Sequence, residues 1–307
     1  MPTDTAPAAP RGTGFFLALG MAWLLAAAAP GHAAETGDTG EVSPPTAFRR
    51  IDDLPYGVAP RQRMDVILPA RPAHAPVLLM VHGGAWMAGN KDSRGVVDNK
   101  AARWVARGFI FVSVNYRMWP EADPAEQALD VARALAAVQA QAPGWGGDPA
   151  RVVLMGHSAG AHLVALLGAA PSRARAAGAG PWLGTIALDS AAVNVPALMQ
   201  RPHLRFYDRV FGSDPAYWAS ASPLQQMSAD ATPMLLVCAR QRPDQPCRQA
   251  EEMAVRAKAL GRQTDVLPQS LTHAEINAQL GLPGGYTDAV EAFMAGLDPA
   301  LARRLGR

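Results

Sequence analysis

What most constrains this chain is a series of short, continuously apolar runs set between longer segments of helical periodicity. Pro76-Val77-Leu78-Leu79-Met80-Val81, Phe109-Ile110-Phe111-Val112 and Val152-Val153-Leu154-Met155 carry no polar residue at alternate positions. A strand with one face in water alternates apolar and polar side chains, so a strand without alternation is covered on both faces. Strands are predicted near 62–69, 76–82, 108–115, 151–156, 183–189, 234–239 and 264–268, with helices between most of them. The clearest helix spans 124–141. Asp123 caps it, Pro124 suits its first position, Glu126 completes a capping box, and Pro143-Gly144 stops it. A second, near 247–260, places Ala250, Met253, Ala257 and Leu260 on one stripe. The fold class is α/β, with a mostly parallel sheet and flanking helices.

Residues 191–232 break the alternation, because they are too long for an ordinary connection and hold Phe206, Tyr207, Phe211, Tyr217 and Trp218. They read as a short, cap-like helical insert that either walls a pocket or packs as a second layer. At the other end, residues 15–29 form an apolar stretch between Arg11 and the small-residue run Gly31-His32-Ala33-Ala34. That is the layout of a signal peptide over 1–34, with an uncleaved anchor as the alternative, and it predicts a periplasmic or secreted protein with one domain over 35–307 and no stable membrane insertion after cleavage. Lys+Arg 28 against Asp+Glu 26 leaves a net charge of +2, and only Lys91, Lys100 and Lys258 are lysines, so the basic charge is scattered arginine. No nucleic-acid partner is expected from such a distribution.

Gly156-His157-Ser158-Ala159-Gly160 fits G-x-S-x-G. It follows the apolar run ending at Met155 and precedes the helical run from Ala161 to Leu167. Strand, tight turn and helix is the context that turns this pattern from a chance occurrence into a nucleophile elbow. A serine lifted on a strained turn needs neighbours without side chains on either side, which Gly156 and Gly160 supply. His82-Gly83-Gly84-Ala85-Trp86 ends another apolar strand, where open α/β sheets bind ligands. Its two glycines leave N–H groups open, so an oxyanion hole from Gly83 or Gly84 together with Ala159 is expected.

With Val114-Asn115-Tyr116-Arg117 and Leu271-Thr272-His273-Ala274-Glu275-Ile276-Asn277, these motifs make the chain resemble the α/β-hydrolases of the esterase/lipase branch, nearest the carboxylesterase and kynurenine formamidase-like enzymes. The resemblance runs over roughly 50–296. Two positions depart from the hormone-sensitive-lipase pattern: Ala85 stands at the third glycine of HGGG and Asn115 at the aspartate of D-Y-R-L. The resemblance implies an α/β-hydrolase fold and a Ser-His-Asp triad in the order serine, acid, histidine. His273, after the last predicted strand, is then the base. Asp244, after the strand Met234–Cys238, is the expected acid and Asp189, after the preceding strand, its competitor; Asp265 sits within a strand. The expected activity is hydrolysis of a small-molecule carboxylic ester through an acyl-enzyme, with no metal or other cofactor. An arylformamidase acting on a formamide, or a silent hydrolase fold used for binding, are the alternatives. Oligomeric state is not legible.

Cys238 and Cys247 bracket Asp244. In an oxidising compartment, a strand end and a helix start nine positions apart (247 − 238) are close enough to pair, closing the acid loop into a ring; a buried free Cys238 is the alternative.

Overall fold

The computed structural model describes residues 48–307, so the expected signal peptide over 1–34 lies outside the described residues. Its strands are β1 (Arg49–Pro55), β2 (Arg63–Leu68), β3 (Ala75–Val81), β4 (Ile110–Val114), β5 (Gly147–His157), β6 (Gly184–Leu188), β7 (Met234–Ala239) and β8 (Thr264–Gln269). They form one eight-stranded sheet in the order β1-β2-β4-β3-β5-β6-β7-β8. β2 runs antiparallel to both its neighbours, and every other pair is parallel.

The continuous apolar runs are explained by where alternate residues go. Val77, Leu79 and Val81 of β3 enter one core layer, and Leu78 and Met80 enter the other. Val152 and Leu154 of β5 likewise face one layer, and Val153 and Met155 the opposite one. Helices Pro124–Gln141 and Ala159–Ala169 cover the first face; Arg94–Val105 and Gly285–Leu297 cover the second. All residues of Ala159–Ala169 are buried, as a helix that is apolar all round but for the hydrogen-bonded His162 must be. Helix Pro124–Gln141 carries the full capping box between Asp123 and Glu126. The second expected helix spans Pro246–Ala259.

β1 was not expected. Its sequence, Arg-Arg-Ile-Asp-Asp-Leu-Pro, is mostly exposed at the sheet edge, where charge, a bulge and a terminal proline discourage pairing with another chain. Between β6 and β7, residues 191–232 fold into four short helices: Val195–Met199, Arg205–Phe211, Pro215–Ser220 and Pro223–Gln226. No helix among the described residues is long and apolar enough to cross a membrane.

Candidate active site

The parallel strands β3, β5, β6, β7 and β8 all end on one edge of the sheet, and their following loops build the site. Ser158 sits at the turn between β5 and helix Ala159–Ala169 with φ 56° and ψ −117°, a strained conformation held by its own N–H donating to Leu188 O at 2.9 Å. The flanking glycines are sterically required. A Cβ at Gly156 would lie 2.4 Å from Gly160 O, and one at Gly160 would lie 2.3 Å from Val81 O. Gly83 is equally constrained, since its Cβ would approach the Ser158 Cβ to 2.7 Å.

His273 is the first residue of helix His273–Gln279, which Thr272 and Glu275 cap reciprocally. Its Nε2 lies 2.9 Å from Ser158 Oγ and its Nδ1 lies 2.6 Å from Asp189 Oδ2. An ionised carboxylate can only accept, so Nδ1 carries the hydrogen and Nε2 presents its lone pair to the serine. Asp189, fully buried at the end of β6, also accepts from Ala239 N–H at 2.8 Å and from Arg242 Nη1 at 2.7 Å. Burial pushes its carboxyl up, but the His273 hydrogen bond and the Arg242 charge outweigh that and hold it below the usual carboxylate range.

The expected acid, Asp244, is not the partner of His273. Its Oδ2 accepts from Arg242 Nη2, and its Oδ1 is buried without a partner among the described residues. The reason is Arg242, whose guanidinium stands between the two aspartates and binds both. The competitor Asp189 therefore meets the imidazole. Cys238 and Cys247 are joined by a disulfide with Cα atoms 5.1 Å apart, which closes the segment carrying Arg242 and Asp244 into a ring.

The His82-Gly83-Gly84-Ala85-Trp86 segment turns sharply: Gly84, Ala85 and Trp86 have φ of 126°, 53° and 60°. Among the described residues, no group accepts from the N–H of Gly83, Gly84 or Ala159, and all three line a cavity of about 530 Å³ above Ser158. From the insert, Leu204, Phe206 and Tyr207 reach this cavity. Trp218 instead donates to Phe211 O at 3.1 Å, and Tyr217 accepts from Ala125 N–H at 3.5 Å, both packed away from it. Asn115 and Arg117 brace the surroundings: Asn115 Oδ1 accepts from Lys91 N–H at 2.8 Å and Arg117 binds Asp130 through two nitrogens, each at 2.8 Å.

Three histidines beside Ser158 and His273, which the sequence marks only as motif or helix residues, each hold a part of the site. His157 Nε2 donates to the carbonyl of His273 at 2.9 Å, holding that residue from behind. His82 stacks on Tyr116, whose hydroxyl donates to His82 O at 2.9 Å. His162 Nδ1 accepts from Trp86 Nε1–H at 3.2 Å, which leaves Nε2–H to donate to Ala221 O at 2.7 Å. Burial pushes His82 and His162 down to about 4 and His157 down to about 3, so all three are neutral near pH 7. Arg242, also unmarked by any motif, is the other group the sequence did not single out.

Residues 64–256 match the sequence profile of the BD-FAE family. Esterase LipQ of Mycobacterium tuberculosis is 30% identical over 233 residues, covering 70% of this chain and 54% of LipQ. Esterase LipC of the same organism is 29% identical over 225 residues, covering 67% of this chain and 55% of LipC. The chain thus spans about half the length of these curated relatives. Among solved structures, a truncated carbohydrate esterase from gut microbiota superposes with a TM-score of 0.68 at 16% identity, over 86% of this chain and 99% of that one. Esterase B from Lactobacillus rhamnosis gives 0.65 at 19% identity, over 85% and 88%. With that fold and that profile, the chain belongs to the BD-FAE family and has the α/β-hydrolase fold.

Proposed function

We propose that this protein hydrolyses carboxylic esters, with Ser158 as nucleophile, His273 as general base and acid, and Asp189 as the carboxylate that orients the imidazole. One observation carries the reading: a single imidazole lies 2.9 Å from Ser158 Oγ and 2.6 Å from a buried carboxylate, at the floor of an open cavity. A serine hydroxyl is a weak nucleophile until its proton has somewhere to go. As Oγ bonds to the ester carbon, its proton passes to His273 Nε2, and the imidazolium is stabilised by Asp189. The carbonyl oxygen becomes an oxyanion beside the open N–H groups of Gly83, Gly84 and Ala159. His273 returns the proton to the alcohol oxygen as the C–O bond breaks, leaving an acyl-enzyme. Water then repeats the sequence and frees the acid. Leu204, Phe206 and Tyr207 give the cavity an apolar wall suited to the acyl or alcohol part of a small ester.

We further infer export, on the signal-like residues 1–34 and on a disulfide that suits an oxidising compartment; cell fractionation checks it. Ser158→Ala should lower ester turnover by about 10⁴-fold or more with its melting temperature retained, and a fluorophosphonate probe should label only the unmutated protein. Turnover above a tenth of the unmutated rate would overturn the mechanism. Faster cleavage of N-formylkynurenine than of p-nitrophenyl acetate would reassign the substrate to formamides.

A further inference from the structure

The loop after β7 differs from the other loops at this edge in being covalently closed, and what it carries to the site is a cation. Arg242 Nη1 donates to Asp189 Oδ2 at 2.7 Å and to Asp189 O at 3.1 Å, while Nη2 donates to Asp244. The same Nη1 lies 2.9 Å from His273 Nδ1. Nδ1 already gives its hydrogen to Asp189, and both hydrogens of Nη1 have oxygen partners. The approach is therefore a positive charge held against the edge of an imidazole that must itself become positive during turnover. A like charge at that distance disfavours the imidazolium. Asp244 works the other way, since its carboxylate partly neutralises Arg242. The disulfide fixes the ring that holds both residues.

We propose that Arg242 is a positioning residue that sets the basicity of His273, that Asp244 sets how strongly Arg242 acts, and that the Cys238–Cys247 ring keeps the pair in place. The proposal rests on the triad reading above. The other polar and titratable groups facing His273 are accounted for. His157, on β5, stays neutral at working pH. Glu275, on the same helix as His273, is engaged with the Thr272 N–H. Tyr286, from helix Gly285–Leu297, donates to Ile276 O. Lys100, from helix Arg94–Val105, donates to Asn277 O. Burial pushes Lys100 down to about 7, so the readout must be the imidazole itself rather than rate alone.

The experiment is an NMR titration of the His273 ring protons in the Ser158→Ala background, paired with the acidic limb of kcat/KM against pH in the active protein. Arg242→Met should move the His273 midpoint up by about one pH unit, and the acidic limb with it. Arg242→Lys, which keeps a charge there, should return at least half of that shift. Asp244→Asn should move the midpoint down, the opposite direction, because it removes the negative charge that offsets Arg242. Cys238→Ser with Cys247→Ser should move it up, towards the Arg242→Met value. A midpoint displaced by less than about 0.2 unit in Arg242→Met, or displaced upward in Asp244→Asn, overturns the proposal. Should Arg242→Met fail to fold, the Asp244→Asn and double-cysteine variants decide, and an unmoved midpoint in both overturns it. The titration needs no turnover, so an active Ser158→Ala would sink the triad reading alone, whereas a fluorophosphonate-labelled Ser158 with an unmoved His273 would sink this proposal alone.

Discussion

The loops after β3 and β5 and the loops after β6 and β7 meet over the same serine, but they are held by different physics. On the nucleophile side, backbone sterics rule: Gly83, Gly156 and Gly160 stand where any Cβ would come within 2.7, 2.4 and 2.3 Å of another atom. On the acid side, no glycine is required, and the geometry comes from a chain of charges, Asp189 to Arg242 to Asp244, inside a disulfide ring. Steric necessity writes itself into residue identity at fixed spacing. An ion-pair network does not, because several carboxylates near one arginine could each have been its terminus.

The sharpest way to break this comparison is to remove each carboxylate in turn. Asp189→Asn should lower kcat by about 10⁴-fold, since an amide in that position favours the wrong imidazole tautomer. Asp244→Asn, one guanidinium further away, should cost less than about tenfold at the pH of maximal rate. Steady-state rates for the two variants settle the order, and a reversed order would hand the acid role back to Asp244. Next in size is a steric test of the nucleophile side. Gly160→Ala must push a methyl against the carbonyls of Val81 and His82, 2.3 and 2.5 Å away, and should lower stability in urea by about 2–3 kcal/mol. Gly144→Ala, with no atom within 4 Å of the added methyl, should stay within about 0.5 kcal/mol of the unmutated protein. Equal costs would mean that the elbow glycines are not sterically required.

A further test is a pH dependence set by the three imidazoles around Ser158. His82, His157 and His162 are protonated in the unfolded chain below their ordinary value of 6.5 but stay neutral in the fold until about 4, 3 and 4. Between those values the unfolded state binds more protons, so the contribution of these imidazoles is complete above about pH 6.5 and falls as the pH drops towards 4. Asp189, whose folded carboxyl is held low, loses its contribution only below the ordinary carboxylate range, so it does not act in that window. Melting temperature should fall by several degrees between about pH 7.5 and pH 5. A flat profile over that interval would show that these imidazoles are not held neutral.

The same contrast decides what could be read in the sequence. The apolar strands and the strand–turn–helix around Ser158 were legible because burial on two faces and a Cβ-free turn each demand particular residues. β1 was not, because a charged edge strand such as Arg49–Pro55 is selected against looking like a strand. The choice between Asp189 and Asp244 was not legible either: both follow strands, and only the left-handed turn at Asp189, with φ 59°, and the intervening Arg242 decide which carboxylate faces His273. Within the insert, aromatic composition could not separate Phe206 and Tyr207, which reach the cavity, from Tyr217 and Trp218, which do not.

His162 gives this architecture a further property. One imidazole on the helix behind the nucleophile is pinned by Trp86 of the turn at one nitrogen and by the Ala221 carbonyl of the insert at the other. The segment best placed to be exchanged for a new substrate preference is thereby leashed to the segment least free to move. Grafting a foreign 191–232 segment that places no carbonyl to receive that hydrogen would leave a buried donor unmet, and the loss would be felt at the Trp86 turn as well as in the grafted wall. Specificity and rate in this fold are therefore not independent settings, and an insert swapped in to change the first should be chosen by where it places the backbone carbonyl of position 221.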